Sequence, residues 1–210
     1  MRRAAKSSRW LLRLAMLLPP LGFSPRVAAQ AAATRWEAGA GAGLAVFSSI
    51  ARHQDGAGTT SLLPFRATVT GVSLSWRHRA WELHTGIETL DAALAVQGAA
   101  VTVLAREASV SRVRWRLLAG RTVARLGEAS VRASAGPALD VWSPSGAAAR
   151  TRVSAVARMG LRLEAGPVSL ENSVAVSVSG SPLTEDELPD GYRQEVLRVL
   201  ELGLGAWLRF

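Results

Sequence analysis

The chain has 210 residues, a formal net charge of +9 and no cysteine, which excludes a disulfide framework and a cysteine-based metal site. Most of that charge is local, because residues 1–30 hold six of the 25 basic residues and none of the 16 acidic ones. The remaining residues carry only +3, spread thinly along the chain. We therefore expect one domain and no nucleic-acid partner.

The N-terminus has the layout of an export signal. Basic residues at positions 2–9 precede an apolar core from Trp10 to Leu18, which ends at two prolines. This core is too short to span a bilayer. Small residues around Ala29 and Ala33 suit signal peptidase. We predict a signal peptide over residues 1–30, cleaved near position 29 or 33, and a mature domain over 31–210.

Alternation of apolar and polar residues then predicts β-strands along the mature chain. The pattern indicates eight, at 35–49, 67–77, 81–91, 109–119, 128–141, 151–164, 168–179 and 196–210. The links at 77–80 and 165–167 are short, and the link at 120–127 is somewhat longer. The other four links are long, at 50–66, 92–108, 142–150 and 180–195. Short turns on one rim and long loops on the other are typical of transmembrane barrels.

The two faces of the predicted strands differ in composition. One face is aliphatic, and the other carries glycine, serine, arginine and carboxylates. A soluble periplasmic ligand-binding barrel would turn the aliphatic face inward, and that alternative remains open. Aromatic residues favour the opposite, membrane arrangement, because they fit an interfacial belt at the short-turn rim. These residues are Trp36, Trp76, Trp81, Trp115 and Phe210. We predict an all-β, eight-stranded antiparallel up-and-down transmembrane β-barrel.

The last strand carries the most specific pattern. Its apolar positions are Leu202, Leu204, Ala206, Leu208 and Phe210, and the sequence ends on that aromatic residue. This ending resembles the C-terminal assembly signal of bacterial outer-membrane barrels. The mature chain is similar in architecture to the small eight-stranded barrels of the OmpA-type and OmpX-like group. The resemblance implies the outer membrane of a Gram-negative bacterium, with the barrel-assembly machinery and outer-membrane lipids as partners.

An inward polar face would fill the lumen with charge. Eight-stranded barrels have room inside only for side chains, so we expect a core of arginine–carboxylate pairs. A narrow anion-preferring channel lined by arginines 112, 114 and 116 remains the alternative. The predicted lumen residues are Glu37, Arg77, Glu82, Glu88, Arg112, Arg114, Arg116, Arg132, Asp140, Arg152, Arg158, Arg162, Glu164, Glu171, Glu201 and Arg209.

The sequence offers little for catalysis. Its three histidines are His53, His78 and His84. His84 shares the inner face with Glu88, but four residues of strand rise separate them by about 13 Å. We predict no catalytic site, no metal site and no cofactor. A lipid-modifying outer-membrane enzyme stays a third alternative.

The long loops are where this fold usually varies for function. The segment from Leu90 to Leu104 is unusually apolar for a loop, and we expect strands to extend there above the membrane around a tight turn. The extended edge in loop 92–108 is a candidate surface for a protein partner, and a simple hairpin extension without a partner is the favoured alternative. The acidic residues of 180–194 are interpreted as keeping that loop soluble rather than binding a cation. The favoured function is a structural or surface-interaction role in membrane integrity, adhesion or resistance.

Overall fold

The computed structural model describes residues 34–55, 58–98 and 102–210, so the predicted signal peptide lies outside the described residues. Strands dominate the described chain, and backbone hydrogen bonding defines eleven of them. They are β1 (Arg35–Phe47), β2 (Ala51–Asp55), β3 (Gly58–Pro64), β4 (Ala67–His78), β5 (Trp81–Gln97), β6 (Thr102–Leu126), β7 (Ala129–Pro144), β8 (Arg150–Ala165), β9 (Val168–Ser179), β10 (Tyr192–Gln194) and β11 (Leu197–Arg209). Among the described residues, no helix is both long and apolar enough to cross a membrane.

Eight of these strands form a closed antiparallel ring. Its order is β1, β4, β5, β6, β7, β8, β9 and β11, and β11 pairs back onto β1. Following cross-strand partners around the ring from Trp81 leads back to β5 at Asp91, ten residues further along. That stagger tilts the strands strongly against the barrel axis. The predicted eight-stranded up-and-down barrel is confirmed.

The short-turn rim is tighter than the sequence predicted. Turns of two residues join β4 to β5, β6 to β7 and β8 to β9. The first turn residue has a positive φ in each case, at Arg79, Gly127 and Gly166, which glycine adopts at little cost. The predicted link at 120–127 is wrong, because β6 continues to Leu126. A β-bulge between Thr122 and Ala124 interrupts the alternation there.

The opposite rim, here called the long-loop rim, carries extra strands. β5 and β6 extend beyond the barrel and pair with each other up to Gln97 and Thr102, as predicted for residues 92–108. β3 pairs with the extended end of β5, then β2 with β3 and β10 with β2. We call this set the loop sheet. The predicted loop at 50–66 is therefore mostly a hairpin, and the 180–195 loop contains a 3₁₀ turn at Glu185–Glu187 before β10.

Side chains divide between the two faces of the ring. The outer face exposes aliphatic residues on every strand of the ring, such as Leu44, Val72, Ile87, Val153 and Leu204. The inner face buries charged, serine and glycine residues. This is the reverse of a water-soluble protein, where apolar residues occupy the interior.

An apolar cluster forms the one large hydrophobic core of the described residues, and it lies at the long-loop end of the lumen. We call it the apolar cap. It combines the last inward residues of the ring strands with loop residues. Its members are Ala45, Phe47, Ile50, Ala51, Ala67, Val69, Leu90, Ala92, Leu94, Val110, Trp142, Leu183, Leu188, Leu197 and Val199.

Candidate functional site

Glu37 is the centre of the charge network near the short-turn rim, here called the lower cluster. Its carboxylate is fully buried and contacts Arg162 at 2.8 Å and Arg77 at 3.0 Å. Arg132 and Arg209 lie at 3.7 and 3.8 Å. Four guanidinium groups around one carboxylate neutralise a charge that could not otherwise remain buried.

Two further carboxylates complete the lower cluster. Glu82 accepts hydrogen bonds from Arg132 at 3.1 Å and from Ser75 at 2.8 Å. Glu164 accepts one from Arg209 at 2.8 Å and lies 3.5 Å from Arg77. Every strand that supplies these side chains places them on its inward positions, so the closed ring brings them together.

Trp207 lies against the same cluster. The guanidinium of Arg162 stacks over its indole ring at 4.9 Å and donates from Nε to the Ser169 hydroxyl at 2.6 Å. The backbone of Gly39 packs on this ring, since a Cβ built at Gly39 would lie 2.6 Å from Trp207 Cδ2. Glycine at this position is thus a packing requirement of the indole.

A second network, the upper cluster, lies just below the apolar cap. Arg114 donates to both oxygens of Asp140, at 2.6 and 3.2 Å, in a bidentate pair. Arg112 and Arg114 both donate to Glu201, at 2.8 and 3.0 Å. Arg112 also stacks over Trp142 at 5.4 Å and so joins the ion pairs to the apolar cap.

Between the two clusters, Arg116 bridges His84 and Glu88, which the sequence predicted to be too far apart to bond to each other. It contacts the Glu88 carboxylate at 2.5 Å and donates from Nε to Nε2 of His84 at 3.2 Å. Arg158 pairs with Glu171 at 2.7 Å nearby. His84 and Glu88 therefore share a cation instead of bonding to each other.

The structure places all sixteen predicted lumen residues at inward positions of the ring strands. Among them, Arg152 donates from Nε to the carbonyl of Ser181 at 3.0 Å. Together the salt bridges of the described lumen join eight arginines to seven carboxylates, so the lumen is close to neutral. The arginines are Arg77, Arg112, Arg114, Arg116, Arg132, Arg158, Arg162 and Arg209, and the carboxylates are Glu37, Glu82, Glu88, Asp140, Glu164, Glu171 and Glu201.

An internal cavity of ≈ 60 Å³ interrupts this packing. Glycines of β1, β4 and β11 line it together with charged residues, among them Glu88, Arg116 and Arg158. It has room for a few water molecules. Val69 of the apolar cap, Glu201 of the upper cluster and Trp207 beside the lower cluster also line it.

The three histidines lie in three different parts of the described chain. His84 is buried in the lumen, where it packs against Trp207 with ring centroids 5.5 Å apart. His53 stacks on Tyr192 in the loop sheet, and His78 stacks on Trp76 at the short-turn rim. The metal-ligating side chains of the described residues also form no cluster of three or more.

Four of the five aromatic residues predicted for the belt lie at the short-turn rim. Trp36 is the cross-strand partner of Trp76, and Trp81 follows the adjoining turn. Phe210 donates its N–H to the carbonyl of Trp36 and is exposed. Trp115 departs from the prediction, because it faces Ile87, six residues beyond Trp81 along β5. Its indole N–H donates to Thr85 at 3.0 Å, above the rim.

The segment before β10 is fixed onto the apolar cap. Leu183 and Leu188 insert into the cap, and Arg150 forms a paired contact with the Glu187 carboxylate, 2.5 Å from Nη2 to Oε1. The hydrogen bond from Arg150 lowers the pKa of Glu187 to about 2. The Thr184 N–H also donates to Glu187, at 3.1 Å. The Glu187 carboxylate thus helps to hold the acidic loop against the apolar cap.

Comparison with known proteins identifies the fold. No protein-family model and no curated protein sequence matches the chain. Neisserial surface protein A is similar in structure, with 14% identity and a TM-score of 0.55, covering 83% of this chain and 97% of that one. The outer membrane protein AlkL, solved in lipid bilayers, has 12% identity and a TM-score of 0.54, covering 90% and 95%. The chain therefore has the fold of the small outer-membrane β-barrels.

Proposed function

We propose that this protein is an integral outer-membrane barrel that displays the loop sheet at the cell surface, in a structural or surface-interaction role. The observation that carries the proposal is the filled lumen. Paired charges occupy its lower and middle parts and the apolar cap its long-loop end, around a cavity of only ≈ 60 Å³. The part of the molecule left to meet partners is thus the loop sheet.

The outer face supports the membrane location. Lipid supplies no hydrogen bonds, so a spanning sheet must close on itself, as this ring does. Exposed aliphatic side chains cover the face, and Trp36, Trp81 and Phe210 mark its short-turn edge. Short turns face the periplasm in barrels of this kind. The loop sheet then projects outside the cell.

The loop sheet offers a margin for strand addition. β7 pairs with β6 from Val110 onward. Within the described chain, no strand pairs with residues 102–104 of β6 on that side. Val103 and Leu104 are exposed there. An extended segment of a partner protein could pair with this margin through main-chain hydrogen bonds.

A conducting channel is the weaker candidate. Its proposed lining residues, arginines 112, 114 and 116, are each engaged by a carboxylate. Passage of an ion would require these pairs to separate together with the apolar cap. We expect no conductance above leak in planar bilayers. A conducting wild type whose ion preference is reversed in Arg114→Glu would contradict the packed lumen.

The surface role is tested by complementation of a null strain. One plasmid encodes the wild type, and a second encodes a variant in which a short Gly-Ser linker replaces residues 51–64. Uptake of a hydrophobic dye reports membrane integrity, and cell attachment to a surface reports interaction. We expect attachment to need the hairpin, while the barrel alone restores the dye barrier. Wild-type behaviour of the linker variant in both assays would remove the loop sheet from the function.

A further inference from the structure

Asn172 stands out on the outer face of the ring. β9 alternates outward and inward, and Asn172 occupies an outward, exposed position between Leu170 and Val174. Its cross-strand partners are Leu161 on β8 and Leu204 on β11. All four neighbours are exposed aliphatic residues. An amide side chain thus sits inside the apolar band, with hydrocarbon on every side.

Three threonines on the outer face are hydrogen-bonded within the chain. Thr70 and Thr89 hydrogen-bond to each other at 3.2 Å, and Thr85 accepts from Trp115 at 3.0 Å. The Asn172 amide has no hydrogen-bond partner among the described residues. Its two donors and one acceptor would face lipid tails, which offer no partner. Polar groups kept at such positions usually mark a contact.

We propose that Asn172 marks a homodimer interface, with a second copy of this chain as the occupant. The primary amide is self-complementary, since the carbonyl of each copy accepts from the amino group of the other. That reciprocity is what a two-fold axis requires. All copies insert in one orientation, so the axis runs along the membrane normal and both amides lie at the same depth. Such hydrogen bonds promote association in membranes.

The surface around Asn172 suits this contact. A shallow groove of ≈ 580 Å³ surrounds the amide. Its walls come from β8 and β11, through Met159, Leu161, Leu202 and Leu204. Leucine and methionine side chains of a second copy can pack into these walls, with the amide pair at the centre. The proposal rests on the membrane location proposed above.

The chain has no cysteine, which makes the test direct. Leu170→Cys places one thiol beside Asn172, and Ile87→Cys places one on the opposite side of the ring. Isolated outer membranes are treated with a short bis-maleimide. We expect dimers from the position-170 thiol and background from the control. Adding Asn172→Leu to Leu170→Cys should weaken dimerisation by about five- to thirtyfold. Asn172→Gln in the same background should weaken it less, because the glutamine side chain keeps the amide.

Three results would overturn the dimer. Equal cross-linking at positions 170 and 87 would indicate random collision. An unchanged dimer in the Asn172→Leu background would remove the amide from the contact. Wild-type barrels that native mass spectrometry shows as monomers with one retained phospholipid would make a lipid the occupant. Only fractions whose barrel shifts on boiling in SDS are scored, so failure of membrane insertion is recorded separately.

Discussion

The lumen contains two kinds of core, and they are built on different principles. The lower cluster holds charges that depend on direction and partner, as Glu37 shows with its four arginines. The apolar cap holds residues that depend mainly on volume, as the fully buried Trp142 shows. The first gives the ring strands one register, because any slip would separate the pairs. The second attaches loops from distant parts of the chain to the top of the barrel.

The largest expected effect comes from Glu37. Replacing it with glutamine leaves several buried guanidinium groups short of a counter-charge, which costs about 3–5 kcal/mol. We expect Glu37→Gln to lower the temperature at which the SDS-resistant form is lost, or to abolish that form. Glu185→Gln in the exposed acidic loop is the matched control and should have no effect. A wild-type melting temperature for Glu37→Gln would show that the lower cluster does not stabilise the barrel.

Trp142 tests the other core. Trp142→Ala removes a large buried side chain and should cost about 3–5 kcal/mol locally. The loss should be confined to the long-loop end, because the ring keeps its ion pairs. We expect faster hydrogen exchange in residues 183–194 while exchange in the lower strands stays slow. Uniformly faster exchange around the ring would show that cap and lower cluster are a single cooperative unit.

Gly39→Ala is expected to have a smaller effect. It adds volume to the lumen, whereas Trp142→Ala removes it. Gly39→Ala forces a methyl group against the Trp207 ring, and overpacking of this kind costs about 1–3 kcal/mol. Urea unfolding of the refolded barrel should show the loss. Trp207→Phe in the same chain should recover part of it by making room. The neighbouring outward variant Ala40→Val is the control, and an equal loss there would argue against the indole contact.

The smallest effect concerns the Arg150–Glu187 contact, which holds the acidic loop against the apolar cap. The low pKa of Glu187, about 2 against 4.5, means that the carboxylate is stabilised in its charged form. Its contribution is complete above about pH 4.5 and is lost as the pH falls through 2. We expect protease sites near 183–191 to open only at the acid end, and Glu187→Gln to open them at neutral pH with unchanged barrel melting. Opening near pH 5 in the wild type would contradict this assignment.

Sequence periodicity predicted the ring strands and which side chains face lipid or the lumen, because these two environments impose strict alternation. It failed where alternation breaks, as at the bulge between Thr122 and Ala124. It placed Trp115 at the short-turn rim, which is wrong. The height of a residue along the barrel axis depends on the stagger between neighbouring strands, and the sequence of one strand does not reveal that stagger. It also missed the apolar cap, whose members Ile50, Leu183 and Leu188 lie in predicted loops. The individual ion pairs depend on register and could not be assigned in advance.

The central claim is a closed membrane barrel with its charges inside. It is tested most directly by SDS gel mobility of the outer-membrane fraction, with and without boiling. We predict a compact band that shifts only on boiling, because closed β-barrels resist SDS until heated. A protein released with the soluble periplasm, with one mobility at both temperatures, would contradict the claim and favour a soluble barrel with its aliphatic face inside.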